Sequence, residues 1–179
     1  FPDKQFEAIL LDPPWQYKLR QNDKTHRNRL PYPPMSLGEI AALPIQELSS
    51  PNSYLFLWVT KDYLPEAFDL LQRWGFQYKQ IITWVKVQKG DHNKVKIGVG
   101  HYLRNATEFC IIGIKGKPGT LSSKGITSTS NVIFAPTGEH SEKPNHIHEI
   151  IEAFTDPDSR LELFARQIKD GWHQWGGEL

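Results

Sequence analysis

An apolar run near the start of the chain ends abruptly in an acid, two prolines and an aromatic residue. Five of the six residues in Phe6–Leu11 are apolar, without the alternation of a half-exposed strand, so the run predicts a buried parallel strand. Pro14 restricts Pro13 to extended geometry, and neither proline can donate a ladder hydrogen bond, so the sheet must end here. An exposed acceptor, Asp12, would then lie beside outward-facing prolyl carbonyls and the ring of Trp15. This set can hold a planar amine, although an ordinary strand-terminating turn is the alternative.

Length and composition predict one globular domain, residues 1–179, whose abrupt start is also typical of a domain excised from a longer chain. Its 179 residues are 39% hydrophobic and 23% charged, which is ordinary for a soluble protein. No apolar stretch reaches the roughly 20 residues of a membrane span. Cys110 is the single cysteine and cannot form an internal disulfide. We therefore expect an intracellular protein, in cytoplasm or nucleus, with no membrane partner.

Strand and helix patterns alternate along the chain. Strands are predicted at Phe6–Leu11, Tyr54–Val59, Ile81–Val87, Thr107–Ile114, Asn131–Phe134 and Arg160–Ala165, with a closing strand in Gly171–Glu178. Helices are predicted at Ser36–Ala42, Leu64–Trp74 and Asn145–Phe154. This order predicts an α/β fold, a mostly parallel sheet with helices on both faces. Ligands bind such sheets at the carboxyl ends of the strands, where Asp12 lies.

Positive charge is concentrated in two segments, although the formal net charge is only +1. Residues 16–29 carry Lys18, Arg20, Lys24, Arg27 and Arg29 against Asp23, and residues 86–104 carry Lys86, Lys89, Lys94, Lys96 and Arg104 against Asp91. Each segment follows the carboxyl end of a predicted strand, so both should open on the edge that holds Asp12. A polyanion such as nucleic acid explains this placement better than two solvated surface loops do.

Further polar residues allow either a structural or a ligand-binding role. Lys143 precedes a predicted helix, where it could bind a carboxylate or phosphate, but helix capping explains it equally well. The acid Glu162 within Leu161–Arg166 could pair with an arginine or accept a hydrogen bond from a cofactor. Neither a Walker loop nor a dinucleotide fingerprint is recognisable, which favours S-adenosylmethionine over ATP or NAD. The seven histidines show no metal-ligand spacing, and we predict no metal site.

Taken together and in order, these segments resemble the MT-A-type adenine-N6 methyltransferases, the family of the catalytic subunit of the eukaryotic mRNA adenosine methyltransferase. The resemblance rests on DPPW at Asp12–Trp15, YPPMS at Tyr32–Ser36, LFLWVTKDYLPEA at Leu55–Ala67, WGF at Trp74–Phe76, TWVK at Thr83–Lys86, GHYLRNATEFCIIGIKG at Gly100–Gly116, HSEKP at His140–Pro144, LELFAR at Leu161–Arg166 and GWHQWGGE at Gly171–Glu178. It implies a Rossmann-like, S-adenosylmethionine-dependent methyltransferase fold in which the catalytic motif precedes the cofactor-binding strand.

The resemblance also implies roles for individual residues. Asp12 and the carbonyl of Pro13 would accept hydrogen bonds from the adenine amino group, with Pro14 and Trp15 completing the catalytic motif and Trp15 holding a flipped or single-stranded base. Cofactor contacts are expected from Asp12, Lys143, Phe164, Arg166, Gln167, Ile168, Lys169, Gly177 and Glu178. Together with the basic segments, substrate contacts are expected from Trp15, Lys18, Arg20, Arg27, Arg29, Tyr32, Arg104 and Glu108. The family commonly has Asn where Gly177 stands, so one cofactor hydrogen bond would be lost.

We therefore expect methylation of adenine N6 in nucleic acid, with DNA favoured over RNA. An RNA adenosine methyltransferase of the mRNA type is one alternative. A non-catalytic scaffold subunit is another, since the family includes inactive partners, but these typically lose the acid–Pro–Pro–aromatic motif that this chain keeps. The resemblance is also compatible with a homodimer or with a heterodimer containing a paralogous subunit.

Overall fold

The computed structural model describes residues 1–16, 33–138 and 142–176. Along the chain the elements are β1 (Phe6–Leu11), α1 (Leu37–Ala41), α2 (Ile45–Leu48), β2 (Ser49–Val59), α3 (Leu64–Arg73), β3 (Gln77–Gln88), β4 (Asp91–Val95), β5 (Thr107–Lys115), β6 (Val132–Pro136), α4 (His146–Glu152), β7 (Arg160–Leu163) and β8 (His173–Trp175). Every predicted strand and helix has a counterpart, whereas α2 and β4 were not predicted. None of the helices in the described ranges is long and apolar enough to cross a membrane.

The strands form one mixed sheet. Their order is β4-β3-β5-β2-β1-β7-β8, and β6 pairs with β3. The first strand is buried and pairs in parallel with β2 and β7, as the apolar run predicted. Six of the eight strands run in one direction, and β4 and β5 run in the other. The prediction of a mostly parallel α/β sheet is therefore confirmed.

The two faces of the sheet bury two separate cores. Ile9 and Leu11 of β1 belong to one core, together with apolar residues of α1, α2 and α3. Ala8 and Leu10 belong to the other core, with apolar residues of α4 and β6. Alternate side chains of a strand point to opposite faces, so a wholly apolar strand needs a cover on each side. The helices on both faces provide that cover.

The connections around β1 open a crevice at the carboxyl edge of the sheet. After β1 the chain passes through α1 and α2 to β2 on one side of β1, whereas α4 later returns the chain to β7 on the other side. Such a reversal of direction leaves a gap between neighbouring strand ends, and ligands of open α/β sheets bind there. Asp12 directly follows β1 and Phe164 directly follows β7, so both lie at this edge.

Candidate active site

A tight turn stops β1 and fixes the start of the site. The backbone N–H of Trp15 donates to the carbonyl of Pro13 at 2.8 Å, and the N–H of Met35 donates to the carbonyl of Pro14 at 2.8 Å. Each of these carbonyls, which the sequence predicts to face outward, thus accepts one backbone hydrogen bond. A carbonyl oxygen has two lone pairs, so Pro13 retains one acceptor site beside Asp12.

Asp12 is largely buried rather than exposed, which corrects the sequence-based expectation. Its side chain is 25% exposed, and Oδ2 accepts a hydrogen bond of 2.8 Å from Nζ of Lys143. Burial raises the pKa of Asp12; Lys143 opposes this by lowering the pKa, and the carboxylate of Glu108 raises it again. Because burial outweighs the ion pair, ionised Asp12 is less solvated than an ordinary surface carboxylate and is therefore a stronger acceptor for a ligand N–H.

A chain of alternating charges connects β1, β5 and β3 at this edge. Nζ of Lys143 lies 3.5 Å from Oε2 of Glu108, and Nζ of Lys86 pairs with Oε1 of the same carboxylate. Lys143 and Glu108 are each 15% exposed. Trp58 underlies this arrangement, because its ring centroid lies 5.8 Å from Nζ of Lys143. Glu108, predicted as a substrate residue, is thus brought next to Asp12 through Lys143.

Trp15 packs in the core instead of presenting an open face. It is 4% exposed, its ring stacks on Tyr63 with centroids 4.9 Å apart, and Nε1 donates to the carbonyl of Trp58 at 3.1 Å. A base could stack on Trp15 only if the residues that bury its ring, Tyr63 among them, moved away. Base holding by Trp15 stays a prediction, and the packing gives this residue a structural role.

The crevice between β1 and β7 is a cleft of about 460 Å³, within the size range of small-molecule sites. Seven of the nine predicted cofactor residues line it: Asp12, Lys143, Phe164, Arg166, Gln167, Ile168 and Lys169. The other two, Gly177 and Glu178, lie outside the described residues. The cleft is also lined by Glu162, for which cofactor binding was left open, and by residues not predicted to bind cofactor, namely Leu10, Trp58, Glu142, Asn145, Ile147 and His148.

The lining suits a ligand that combines a carboxylate, hydroxyl groups and a flat ring, as S-adenosylmethionine does. Lys143 and Lys169 supply cations for a carboxylate, and Glu162 supplies an acceptor for hydroxyl or amino hydrogens. Nε1 of Trp58 is buried without a hydrogen-bond acceptor in the described parts of the chain. Buried polar groups are normally paired, so this orphaned donor at the cleft wall also fits a site that takes a polar ligand.

Phe164 has a strained backbone at the mouth of this cleft. Its φ is +62°, a left-handed conformation that costs a residue with a side chain about 1–2 kcal/mol. The conformation is held by β8, because the N–H of Phe164 donates to the carbonyl of Trp175 at 2.6 Å and the two rings meet edge to face at 5.8 Å. Strain of this kind concentrates at ligand sites.

The second basic segment, residues 86–104, begins at Lys86, which also belongs to the chain of alternating charges. The N–H of Lys96 donates to the carbonyl of Lys86 at 2.7 Å, and the N–H of Lys86 donates to the carbonyl of Ala106 at 2.8 Å. Arg104 is exposed on the loop between these anchors, with an N–H to the carbonyl of Gly98 at 3.5 Å. The predicted substrate residues of the first segment, Lys18, Arg20, Arg27, Arg29 and Tyr32, lie outside the described residues.

Comparison with known proteins identifies the family. The MT-A70 family model matches residues 6–178. The chain belongs to the MT-A70 family. The resemblance to adenine-N6 methyltransferases is therefore confirmed, and the mixed α/β sheet flanked by helices is consistent with the methyltransferase fold of this family.

Three relatives show the range of proteins to which this MT-A70 chain is similar. It is 29% identical to the type II methyltransferase M.MunI of Mycoplasma sp, over 99% of this chain and 79% of the relative. It is 31% identical to an N(6)-adenosine-methyltransferase MT-A70-like protein of Drosophila melanogaster, over 98% of this chain and 27% of the relative. It is 29% identical to the human N(6)-adenosine-methyltransferase catalytic subunit METTL3, over 98% of this chain and 28% of the relative. The chain thus spans about a quarter of the last two.

Sequence reasoning missed several residues of this MT-A70 cleft. Trp58 and His148 line it. Gln174 forms side-chain hydrogen bonds to the loop of residues 167–169 and to Glu162, which also line the cleft. His148 follows Ile147 in an apolar helical pattern, and Gln174 lies in a short closing strand, so neither stands out by type or spacing. Glu162 had been recognised as an acid between leucines, with structural pairing and ligand binding both left open.

Proposed function

We propose that this MT-A70 domain transfers a methyl group from S-adenosylmethionine to the N6 amino group of adenine in nucleic acid. The observation that carries the proposal is the position of Asp12, which ends β1 and lines the same cleft as the residues predicted to bind the cofactor. An adenine amine bound at Asp12 would therefore lie beside a cofactor in the cleft. Bringing the two reactants together in this way supplies much of the rate enhancement of a direct transfer.

The chemistry requires an acceptor at the amine. Oδ2 of Asp12 is engaged by Lys143, which leaves Oδ1 to accept one amine hydrogen, and the second lone pair of the Pro13 carbonyl can accept the other. Two acceptors in these positions hold the amine hydrogens and turn the nitrogen lone pair toward the cleft. When bound, S-adenosylmethionine supplies the methyl group on an electrophilic sulfonium. It would leave as S-adenosylhomocysteine, and the carboxylate of Asp12 would stabilise the positive charge that develops on the amine nitrogen until this nitrogen loses a proton.

Lys143 favours the ionised form of this acceptor, against the effect of burial. Burial alone would favour protonated Asp12, which is a poorer acceptor, whereas the ammonium group of Lys143 lowers the pKa. A second carboxylate, Glu108, shares the same ammonium group at 3.5 Å. Lys143 therefore balances two negative charges that would otherwise repel each other across the site.

We propose DNA as the favoured substrate over RNA. The LPEA and HSEKP segments support this preference because they resemble bacterial and ciliate members of the family more than the mRNA enzyme. The relative that the chain matches over most of both lengths is named a type II methyltransferase, whereas the two adenosine methyltransferases are matched over about a quarter of their lengths. The exposed basic residues around Arg104 would bind the phosphate backbone of either polymer.

Transfer of labelled methyl groups to matched DNA and RNA oligonucleotides tests both statements. We expect N6-methyladenine in hydrolysed DNA, at a higher rate than in RNA of the same sequence, with Asp12→Ala inactive and Asp3→Ala, at an exposed acid far from the cleft, unaffected. Faster transfer to RNA would overturn the DNA preference alone. Binding of S-adenosylmethionine without transfer to either polymer would contradict the proposed enzymatic activity and favour the alternative of a non-catalytic scaffold subunit.

A further inference from the structure

The amide side chain of Gln174, on β8, links the loop of residues 167–169 at the cleft to the sheet. We propose that Gln174, together with His148, is a positioning residue that fixes Glu162 and the loop of residues 167–169 in the geometry that receives the cofactor. The inference rests on the proposed function, because it assigns to these residues the support of the same cofactor site.

Gln174 uses both ends of its amide. Oε1 accepts a hydrogen bond of 2.6 Å from the backbone N–H of Lys169. Nε2 donates to Oε2 of Glu162 at 3.1 Å and also to the backbone carbonyl of Gln167. Of the ordinary side chains of this length, only an amide offers an acceptor and two donors together. The side chain therefore holds two backbone positions of the loop and one carboxylate at fixed distances.

His148 contacts the same carboxylate oxygen as Gln174. Its Nε2 lies 3.1 Å from Oε2 of Glu162, and its side chain is 11% exposed. The imidazole ring meets Trp172 edge to face at 5.0 Å, which fixes its orientation. Nδ1 is buried without a partner among the described residues, so Nε2 is the ring nitrogen that contacts Glu162.

Because of these contacts, the two carboxylate oxygens of Glu162 have different surroundings. Oε2 receives hydrogen bonds from α4 and β8, whereas no donor within the described ranges is bonded to Oε1. Because Glu162 lines the cleft, Oε1 is left to accept a hydrogen bond from a cofactor hydroxyl or amino group. An acceptor already held by two neighbours loses little conformational freedom when it binds, which strengthens binding.

The loop of residues 167–169 is also attached to α4, so it is held both by α4 and, through Gln174, by β8. Nζ of Lys169 lies 3.4 Å from Oε1 of Glu152, and the same oxygen accepts a hydrogen bond of 2.8 Å from Nε1 of Trp172. Ile168 is 85% exposed at the tip between these attachments. The shape of the loop is therefore set on one side by Glu152 and on the other by Gln174.

Replacing this amide by the isosteric acid tests the proposal. Gln174→Glu keeps the acceptor for Lys169 but removes both donors and places a second carboxylate against Glu162. We expect the Kd for S-adenosylhomocysteine, measured by calorimetry at pH 7.5, to rise about 10- to 100-fold, the range for the removal of hydrogen bonds to a charged group. Lowering the pH should shrink the loss, because protonation of the introduced acid restores a donor. Gln80→Glu, at an exposed glutamine of β3, is the matched control with wild-type Kd.

Two further variants separate positioning from folding. Gln174→Leu removes the hydrogen bonds without adding charge, and its Kd for S-adenosylhomocysteine should rise without the pH-dependent recovery. His148→Phe keeps the ring packing on Trp172 and removes the donor to Glu162, so we expect a rise of about tenfold. In all three variants the KM for the cofactor should rise more than kcat falls, and oligonucleotide affinity should stay within about twofold of wild type.

The outcomes distinguish this inference from the proposed function. Wild-type Kd values in Gln174→Glu and His148→Phe, with S-adenosylhomocysteine bound normally by the unmodified protein, would overturn the positioning role alone. A parallel loss of oligonucleotide affinity in the folded variants would also overturn it, because that result indicates a general structural role. Failure of the unmodified protein to bind S-adenosylhomocysteine would remove the proposed function, and the inference with it.

Discussion

Asp12 combines a position in the cleft with a folding cost. Burial raises its pKa above the ordinary value of 3.8, so the native state binds a proton more tightly than the unfolded chain does. Between pH 3.8 and the raised native pKa, the free energy of unfolding contributed by Asp12 therefore falls as the pH rises. We expect Asp12→Asn to be at least as stable as wild type at pH 7, with an advantage that shrinks toward pH 4. Urea denaturation at both pH values, with Asp3→Asn as control, measures this.

The same substitution should nearly abolish methyl transfer. Asn keeps one carbonyl acceptor but removes the negative charge, and loss of a preorganised group that stabilises a developing charge typically lowers the rate by about 10²–10³. A stable, folded Asp12→Asn with near-wild-type turnover would show that the transfer does not depend on this carboxylate. An Asp12→Asn that is much less stable at pH 7 would instead show that its ion pair with Lys143 outweighs the cost of burial.

Trp15 offers a test of packing against base holding. Trp15→Phe keeps most of the ring packed on Tyr63 but leaves the buried carbonyl of Trp58 without its donor, at a cost of about 1–3 kcal/mol in the free energy of unfolding. Trp15→Ala should cost about 3–5 kcal/mol because it also opens a cavity. Chemical denaturation measures both. If oligonucleotide affinity fell while stability stayed at the wild-type value, Trp15 would act in base capture, as the sequence predicts.

Elements with strong local signals were predictable, whereas those defined by their surroundings were not. The apolar run of β1 and the amphipathic pattern of α3, with Pro65 in its first turn and Gly75 just beyond it, match the structure closely. In contrast, β4 is an exposed hairpin strand without an apolar pattern, and α2 is a single turn. The reversed direction of β5 depends on its neighbours, which no local pattern encodes.

The same distinction applies to the site: residues that belong to motifs were predictable from the sequence, whereas contacts between distant parts of the chain were not. Seven of the nine residues that the family resemblance implied as cofactor contacts meet in one cleft, because motifs carry chemical identity in their residue types. The ion pair between Asp12 and Lys143, 131 positions apart, depends on the return of α4 to the edge of β1. Hydrogen bonds such as those of Gln174 have no sequence signature, since glutamine is equally common on open surfaces.

The second basic segment, residues 86–104, should provide part of the nucleic-acid affinity. Lys94, Lys96 and Arg104 are exposed, and replacing all three by Gln should reduce the slope of log affinity against log salt by up to about 0.7–0.9 for each phosphate that the variant no longer neutralises. Cofactor affinity should not change. The matched control replaces Arg73, Lys79 and Lys117, exposed residues near the opposite edge of the sheet. An unchanged slope in the first variant would assign phosphate binding to other parts of the molecule, including the first basic segment.

The molecule as a whole has little net charge, formally +1, yet it concentrates charge where three strands meet. Asp12 follows β1, Glu108 lies on β5 and Lys86 lies on β3, with Lys143 between the two acids. Each side chain in this chain of charges is at most 25% exposed, so their interactions are screened less than those of surface pairs. The protonation of Asp12 is therefore coupled to charges that the whole sheet brings together.

This coupling predicts the direction in which a neighbouring charge moves the pH dependence of the reaction. Glu108 raises the pKa of Asp12, so Glu108→Gln should lower that pKa, because removing a nearby negative charge favours the ionised form. If transfer requires ionised Asp12, the acid limb of the profile of kcat/KM against pH should move to lower pH in the variant, whatever the change in its maximum. The normalised profile separates this shift from any weakening of substrate binding. An acid limb that stays in place or moves to higher pH would mean that Asp12 does not control it.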